Sequence, residues 1–178
     1  MTDEHLQTAL TKVPAVTLSF WIIKILATTL GETGGDTLSM TYDLGYLASS
    51  AVFVVPLILL VVAQIRARAF HPFLYWATIV ASTTAGTTMA DFATRSLGIG
   101  YTGGSLLLLA CVLASLAIWR AATGSVSVDT VSTAKSETFY WITITFSQTL
   151  GTALGDWFAD SGLGYAGGAA MFLSLIHI

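Results

Sequence analysis

Residues 44–63 read LGYLASSAVFVVPLILLVVA, twenty positions without one charged side chain. No other feature restricts the fold as much. As an α-helix rising about 1.5 Å per residue, this run is roughly 30 Å long, the thickness of a bilayer's hydrocarbon core. A strand of a membrane barrel would instead alternate apolar and polar residues over about ten positions. The string VFVVPLILLVV shows no such alternation. Residues 97–119 form a similar apolar run. Three further candidate spans begin at Pro14, Pro72 and Thr138 and are richer in Thr, Gly and Trp. A sixth begins near Leu163 and meets the end of the chain too early to cross. Composition agrees: 54% of residues are apolar and 10% are charged, against about 25% charged in soluble domains. So few charges cannot cover a water-facing surface, which excludes a soluble enzyme, a nucleic-acid-binding protein and a disordered chain. The expected fold class is all-α, a polytopic transmembrane helical bundle with five full spans and a truncated sixth.

The N-terminal stretch MTDEHLQTALTK carries acids and no basic region ahead of an apolar run, so it does not read as a cleavable signal. If the N-terminus is cytoplasmic, Lys12, Arg66, Arg68, Arg120 and Lys135 all fall on the cytoplasmic side. Arg95 is then the lone basic residue opposite, beside Asp43 and Asp160. The expected location is the inner (plasma) membrane, multi-pass, with lipid as the surrounding partner. A net charge of −3 leaves no footprint for nucleic acid. Cys111 is the one cysteine, which excludes a disulfide framework and cysteine-based zinc sites. His5 and His71 fall in tail or loop. No phosphate loop and no nucleophile–base pair is present, so neither enzymatic activity nor a bound cofactor is expected.

The chain repeats itself. Three segments align without gaps: FWIIKILATTLGETGGD from Phe20, YWATIVASTTAGTTMAD from Tyr75 and YWITITFSQTLGTALGD from Tyr140. Each opens on an aromatic–Trp pair (Trp21, Trp76, Trp141), reaches a Gly ten residues later (Gly31, Gly86, Gly151) and ends on Asp (Asp36, Asp91, Asp156). A Gly-Tyr pair follows in every copy: Gly45–Tyr46, Gly100–Tyr101 and Gly164–Tyr165. Two spans per copy make successive copies enter the membrane from the same side, as parallel repeats about an axis along the membrane normal. The expected units are repeat one at 14–66, repeat two at 72–120, a linker at 121–136 rich in Ser, Thr and Val, and repeat three at 137–172.

These Trp residues and Gly-x4-Asp endings resemble a bacterial integral-membrane family defined only as a repeat of unknown function (domain of unknown function 347). That resemblance implies two transmembrane helices per repeat and usually four repeats. A missing fourth repeat is therefore an expected partner, alongside a possible homo-oligomer. It implies no activity. The last six residues, LSLIHI, are what a common transposon-adapter sequence encodes when read in frame. Residues 173–178 are accordingly set apart from the fold, and His177 is expected to bear no function.

Ionisable residues inside spans are costly and mark functional positions by default. Each repeat Asp lies about 22 Å along its helix from its Trp, near the helix C-terminus, where the helix dipole disfavours a carboxylate. A cation, a hydrogen-bonding partner or an aqueous loop should compensate; alternatively, the Asp caps the following loop. Glu32 stands four residues before Asp36 and shares its helix face. Glu32 and Asp36, with nearby hydroxyls (Thr28, Thr33, Thr37), are oxygen ligands suited to a divalent cation as substrate, although a purely structural Glu32 fits equally well. The string GETGGDT is also faintly similar to the Glu-x-Gly-Asp motif of a cation/proton-exchanger family, with one extra residue between Glu and Asp.

The pairs Gly31/Gly35, Gly86/Ala90 and Gly151/Gly155 read as small-xxx-small helix-packing positions. Trp21, Trp76 and Trp141 read as interface anchors. Lys24 is expected to snorkel to the cytoplasmic surface, Gln148 to bond between helices, and Pro56 to kink its span. Thr83, Thr84, Thr87 and Thr88 either bond across helices or line a polar path. Together these features point to transport of a small ion or solute through a polar centre of Glu32, Asp36, Asp91 and Asp156. The alternative is a non-transporting membrane scaffold or accessory subunit.

Overall fold

The computed structural model of the chain describes residues 12–128 and 131–176. Its regular structure there is helical throughout. Five helices of 19 to 25 residues, α1 (Leu18–Asp36), α2 (Tyr46–Arg66), α3 (Pro72–Asp91), α4 (Gly100–Thr123) and α5 (Ala134–Phe158), precede a 13-residue α6 (Gly164–Ile176). Two of them, α2 and α4, are long and apolar enough to cross a membrane. Helices α4 and α5 extend into the two ends of the expected linker, to Thr123 and from Ala134. His5 and His177 lie outside the described residues, whereas His71 is exposed just ahead of α3.

Helix ends follow local chemistry. Thr17 caps α1 by accepting from the Phe20 N–H, and Thr133 and Ser136 form a reciprocal capping box at the start of α5. Pro72 opens α3 at a position where its missing N–H costs nothing. The first helix of every repeat runs on into a five-residue π-helical turn: Thr37–Thr41, Phe92–Ser96 and Ala159–Leu163. The second helix then starts at the repeated Gly-Tyr. Gly45, Gly100 and Gly164 have φ of 79°, 64° and 64°, a region that side-chain-bearing residues avoid. That geometry is why the glycine recurs. Helix α2 runs through Pro56 without interruption from Tyr46 to Arg66.

The centre of the fold is α3, which packs against α1, α2 and α5, while the Phe92–Ser96 turn packs on α4 and α4 packs on α5. Residues 82–88 of α3 are all buried. Seven consecutive positions exceed one 3.6-residue turn, so the helix is enclosed on every side. Its composition suits that place: Ser, Thr, Ala and Gly allow close approach. The hydroxyls return to their own helix, as in Thr78 to the Leu74 carbonyl (2.7 Å), Ser82 to Ile79 (2.9 Å) and Thr84 to Val80 (2.8 Å). The outer helices are instead apolar where exposed, for example Ile22, Ile25, Leu26 and Leu30 on α1 and Val55, Ile58 and Leu59 on α2.

Glycine packing is unequal among the repeats. A Cβ on Gly31 would lie 2.8 Å from the Thr83 Cβ, one on Gly35 3.2 Å from the Thr84 carbonyl, and one on Gly86 3.0 Å from the Thr149 hydroxyl. Gly151 and Gly155 have nothing within 4 Å of that position. Each earlier repeat packs its glycines on the first helix of the next, whereas among the described residues nothing packs against Gly151 and Gly155, which corrects their expected packing role here. The anchor role also fails for Trp141, which is 2% exposed and belongs to the core with Tyr75, Ile79 and Tyr140. Because α5 lies between α3 and α4, its Trp faces neighbours. Trp76 is partly buried against the same cluster, and Trp21 alone of the three is exposed.

Candidate functional site

Residues four apart on a helix share a face. In each repeat, the positions four before and four after the Asp extend one stripe through the end of the first helix and into its π-turn. These stripes are Glu32–Asp36–Met40, Thr87–Asp91–Arg95 and Thr152–Asp156–Asp160. All of these residues except Asp91 line a single cavity of about 520 Å³, together with Thr33 and Tyr165. The repeat thus supplies three equivalent walls with different chemistry. Glu32 and Asp160 are exposed, whereas Asp36 and Asp156 are half-buried.

Asp91 sits behind the wall at 1% exposure. Arg95 meets it, with Nε 2.8 Å from Asp91 Oδ1, and reaches across to the third repeat, where Nη2 donates to Asp156 Oδ2 at 3.1 Å. The guanidinium also lies 5.7 Å from the centre of the Tyr101 ring, and the Tyr101 hydroxyl donates to Asp160. Burial by itself would lower the Arg95 pKa. Asp91 and Asp156 outweigh it and hold the group above the ordinary arginine range. Arg95 is therefore the compensating charge that two of the three repeat carboxylates need.

Loop capping does not explain these acids. Asp36 and Asp91 make no side-chain capping bond to the π-turns that follow them, and Asp156 bonds to Arg95. The helical backbone continues past each Asp, so none stands at a free C-terminus. Thr87 differs from its neighbours. It is 1% exposed, lines the cavity, and among the described residues its Oγ1 has no hydrogen-bond partner. Thr28, Thr33 and Thr37 donate to carbonyls of their own helix. Among the described residues, no three His, Cys, Asp or Glu side chains form a group able to hold a metal ion.

One layer further along the same helices, Lys24 donates to Gln148 Oε1 at 2.8 Å. Thr83 donates to the same oxygen, and Gln148 Nε2 donates to Ser82. Lys24 therefore points inward across to α5, which corrects the expectation that it snorkels out. Thr88 also bonds across helices, accepting from Ser50 at 3.1 Å. Beyond this layer come the Tyr75–Tyr140 hydroxyl pair at 2.8 Å and Trp141, 5.5 Å from Tyr75 between ring centres. The far end carries the Lys12–Glu137 ion pair at 2.7 Å.

Sequence reasoning found the acids and missed their partners. Arg95 stands four residues after Asp91, the spacing of a helical ion pair, and that was a usable signal. Repeat register alone sets Thr87 apart from Thr83, Thr84 and Thr88, at the position of Glu32 and Thr152.

The profile of the family described as Repeat of Unknown Function (DUF347) matches residues 19–70, 74–125 and 139–178. The third match runs through the six residues set apart above. No curated protein and no solved structure matches the chain.

Proposed function

Because the chain belongs to the Repeat of Unknown Function (DUF347) family, whose description assigns no activity, we propose a function from its own geometry: a multi-spanning membrane protein that passes a small cation. The observation that carries this reading is the cavity walled by Glu32, Asp36 and Asp156, with the unpartnered Thr87 hydroxyl, inside a helical body whose outer face is apolar. Helices α2 and α4 meet lipid directly. Helices α1, α3 and α5 cross beside them and carry the polar groups, which is acceptable where helices shield one another. In this reading the N-terminus is cytoplasmic, which the basic residues on that side support, and the acidic cavity opens on the opposite side of a bacterial inner membrane.

In this reading the cavity is the open end of a path. The Lys24–Gln148 layer is its barrier, because a positive charge there opposes a cation's passage. The aromatic cluster and the Lys12–Glu137 pair close the other end. A volume of about 520 Å³ exceeds a bare ion, and among the described residues no three His, Cys, Asp or Glu side chains gather to hold one. The passing species therefore keeps its water or brings its own N–H donors.

A second reading, the non-transporting scaffold, is favoured by one observation: Arg95 already satisfies Asp91 and Asp156 within the fold. Flux measurements separate the two. In liposomes, uptake across alkali cations, Mg²⁺, Mn²⁺ and small protonated amines is expected to fall at least roughly tenfold in Asp36→Asn, about 1.4 kcal/mol of barrier, with membrane abundance unchanged. Wild-type liposomes that pass none of these cations would leave the scaffold.

A further inference from the structure

The cavity contains a worked example of the cation it accepts. Arg95 is a planar guanidinium held between the carboxylates of Asp91 and Asp156 and beside the Tyr101 ring. By repeat register, the first repeat presents the corresponding acid and tyrosine, Asp36 and Tyr46, but has Met40 where the second has Arg95. Its wall holds Glu32 in addition and faces Thr87, the buried hydroxyl without a partner. That side of the cavity has acceptors and, among the described residues, no ion pair at Glu32 or Asp36. The set also suits a flat donor better than a point charge: carboxylates four residues apart offer several oxygens to a fork of N–H groups, while no three-ligand metal group is present among the described residues.

We propose that the Glu32–Asp36–Thr87 side of the cavity binds a small guanidinium- or amidinium-type organic cation, as Asp91 and Asp156 bind the side chain of Arg95. This rests on the cation-passing reading above and narrows it to one chemical class. The test is calorimetric titration of the purified full chain with guanidinium, with Na⁺ and Mg²⁺ as comparison cations at matched ionic strength. Saturable guanidinium binding is expected, at least roughly tenfold tighter than either comparison cation, and weakened at least roughly tenfold by Asp36→Asn. Glu32→Gln is the second variant: Glu32 is exposed, so its neutralisation leaves the fold intact, and it should weaken binding in the same direction. Guanidinium binding that is absent, or that is indifferent to both substitutions, overturns the proposal. If Na⁺ or Mg²⁺ binds in an Asp36-dependent manner and guanidinium does not, the organic-cation class fails while cation passage stands. If no cation binds and none crosses liposomes, both fail together.

Discussion

Lys12→Met lowers the unfolding free energy by about 3–5 kcal/mol, the range seen when one partner of a buried ion pair is removed. The side chains of Lys12 and Glu137 are 12% and 2% exposed, so water cannot stabilise the carboxylate that remains. Neither oxygen of Glu137 finds another hydrogen-bond partner among the described residues. The ammonium also donates to the Gln64 and Ile65 carbonyls at 3.3 and 3.2 Å. These belong to the last turn of α2, where carbonyls lack partners within the helix. One side chain thus joins the segment before α1, the end of α2 and the start of α5. Glu137→Gln alone should cost less, because Lys12 keeps its carbonyls. The double variant Lys12→Met/Glu137→Gln should recover much of the loss, since no buried charge is left alone. Chemical unfolding of the purified protein, read as a double-mutant cycle, measures this coupling. A Lys12→Met variant within about 0.5 kcal/mol of wild type would mean that water reaches Glu137.

That pair also shows where the sequence stops being informative. Helix positions, the repeat and its register are local or periodic properties, and a single chain displays them. The stripe of positions four apart at Asp36, Asp91 and Asp156 follows from the same periodicity, so most of the cavity wall was legible before any coordinates. Pairings between distant segments are not periodic. Lys12 and Glu137 are 125 positions apart, and Lys24 and Gln148 are 124 apart. Lys24 lies on a helix with much exposed apolar surface, where snorkelling is the natural expectation; only the neighbouring α5, with Gln148, turns it inward. Trp141 is similar. Its position in the repeat equals that of Trp21, but α5 has neighbours on sides where α1 has none. Sequence equivalence among repeats therefore carried backbone and face, while environment depended on which repeat lies beside which.

Gly31→Leu and Gly151→Leu should separate for that same reason, although the two glycines hold equivalent places in the repeat. At Gly31 the first added carbon would already stand 2.8 Å from the Thr83 Cβ and 3.1 Å from the Thr84 backbone nitrogen. Thr83 is 4% exposed and cannot retreat into solvent. Its hydroxyl also donates to Gln148, so moving it disturbs the acceptor of Lys24. Helix α1 must then move away from α3, at a cost of about 3 kcal/mol, the upper part of the usual overpacking range. At Gly151 the first added carbon meets nothing within 4 Å. Replacing a helical Gly there removes a propensity penalty of about 1 kcal/mol, so stability should hold or rise slightly. Both variants add the same apolar mass to the same place in the repeat, and general effects of hydrophobicity on insertion or expression therefore cancel in the comparison. Unfolding midpoints of the two proteins, measured side by side, test the asymmetry. Equal destabilisation would mean that the α5 glycines have a packing partner after all. Equal tolerance would mean that α1 does not lie against Thr83 as closely as 2.8 Å requires.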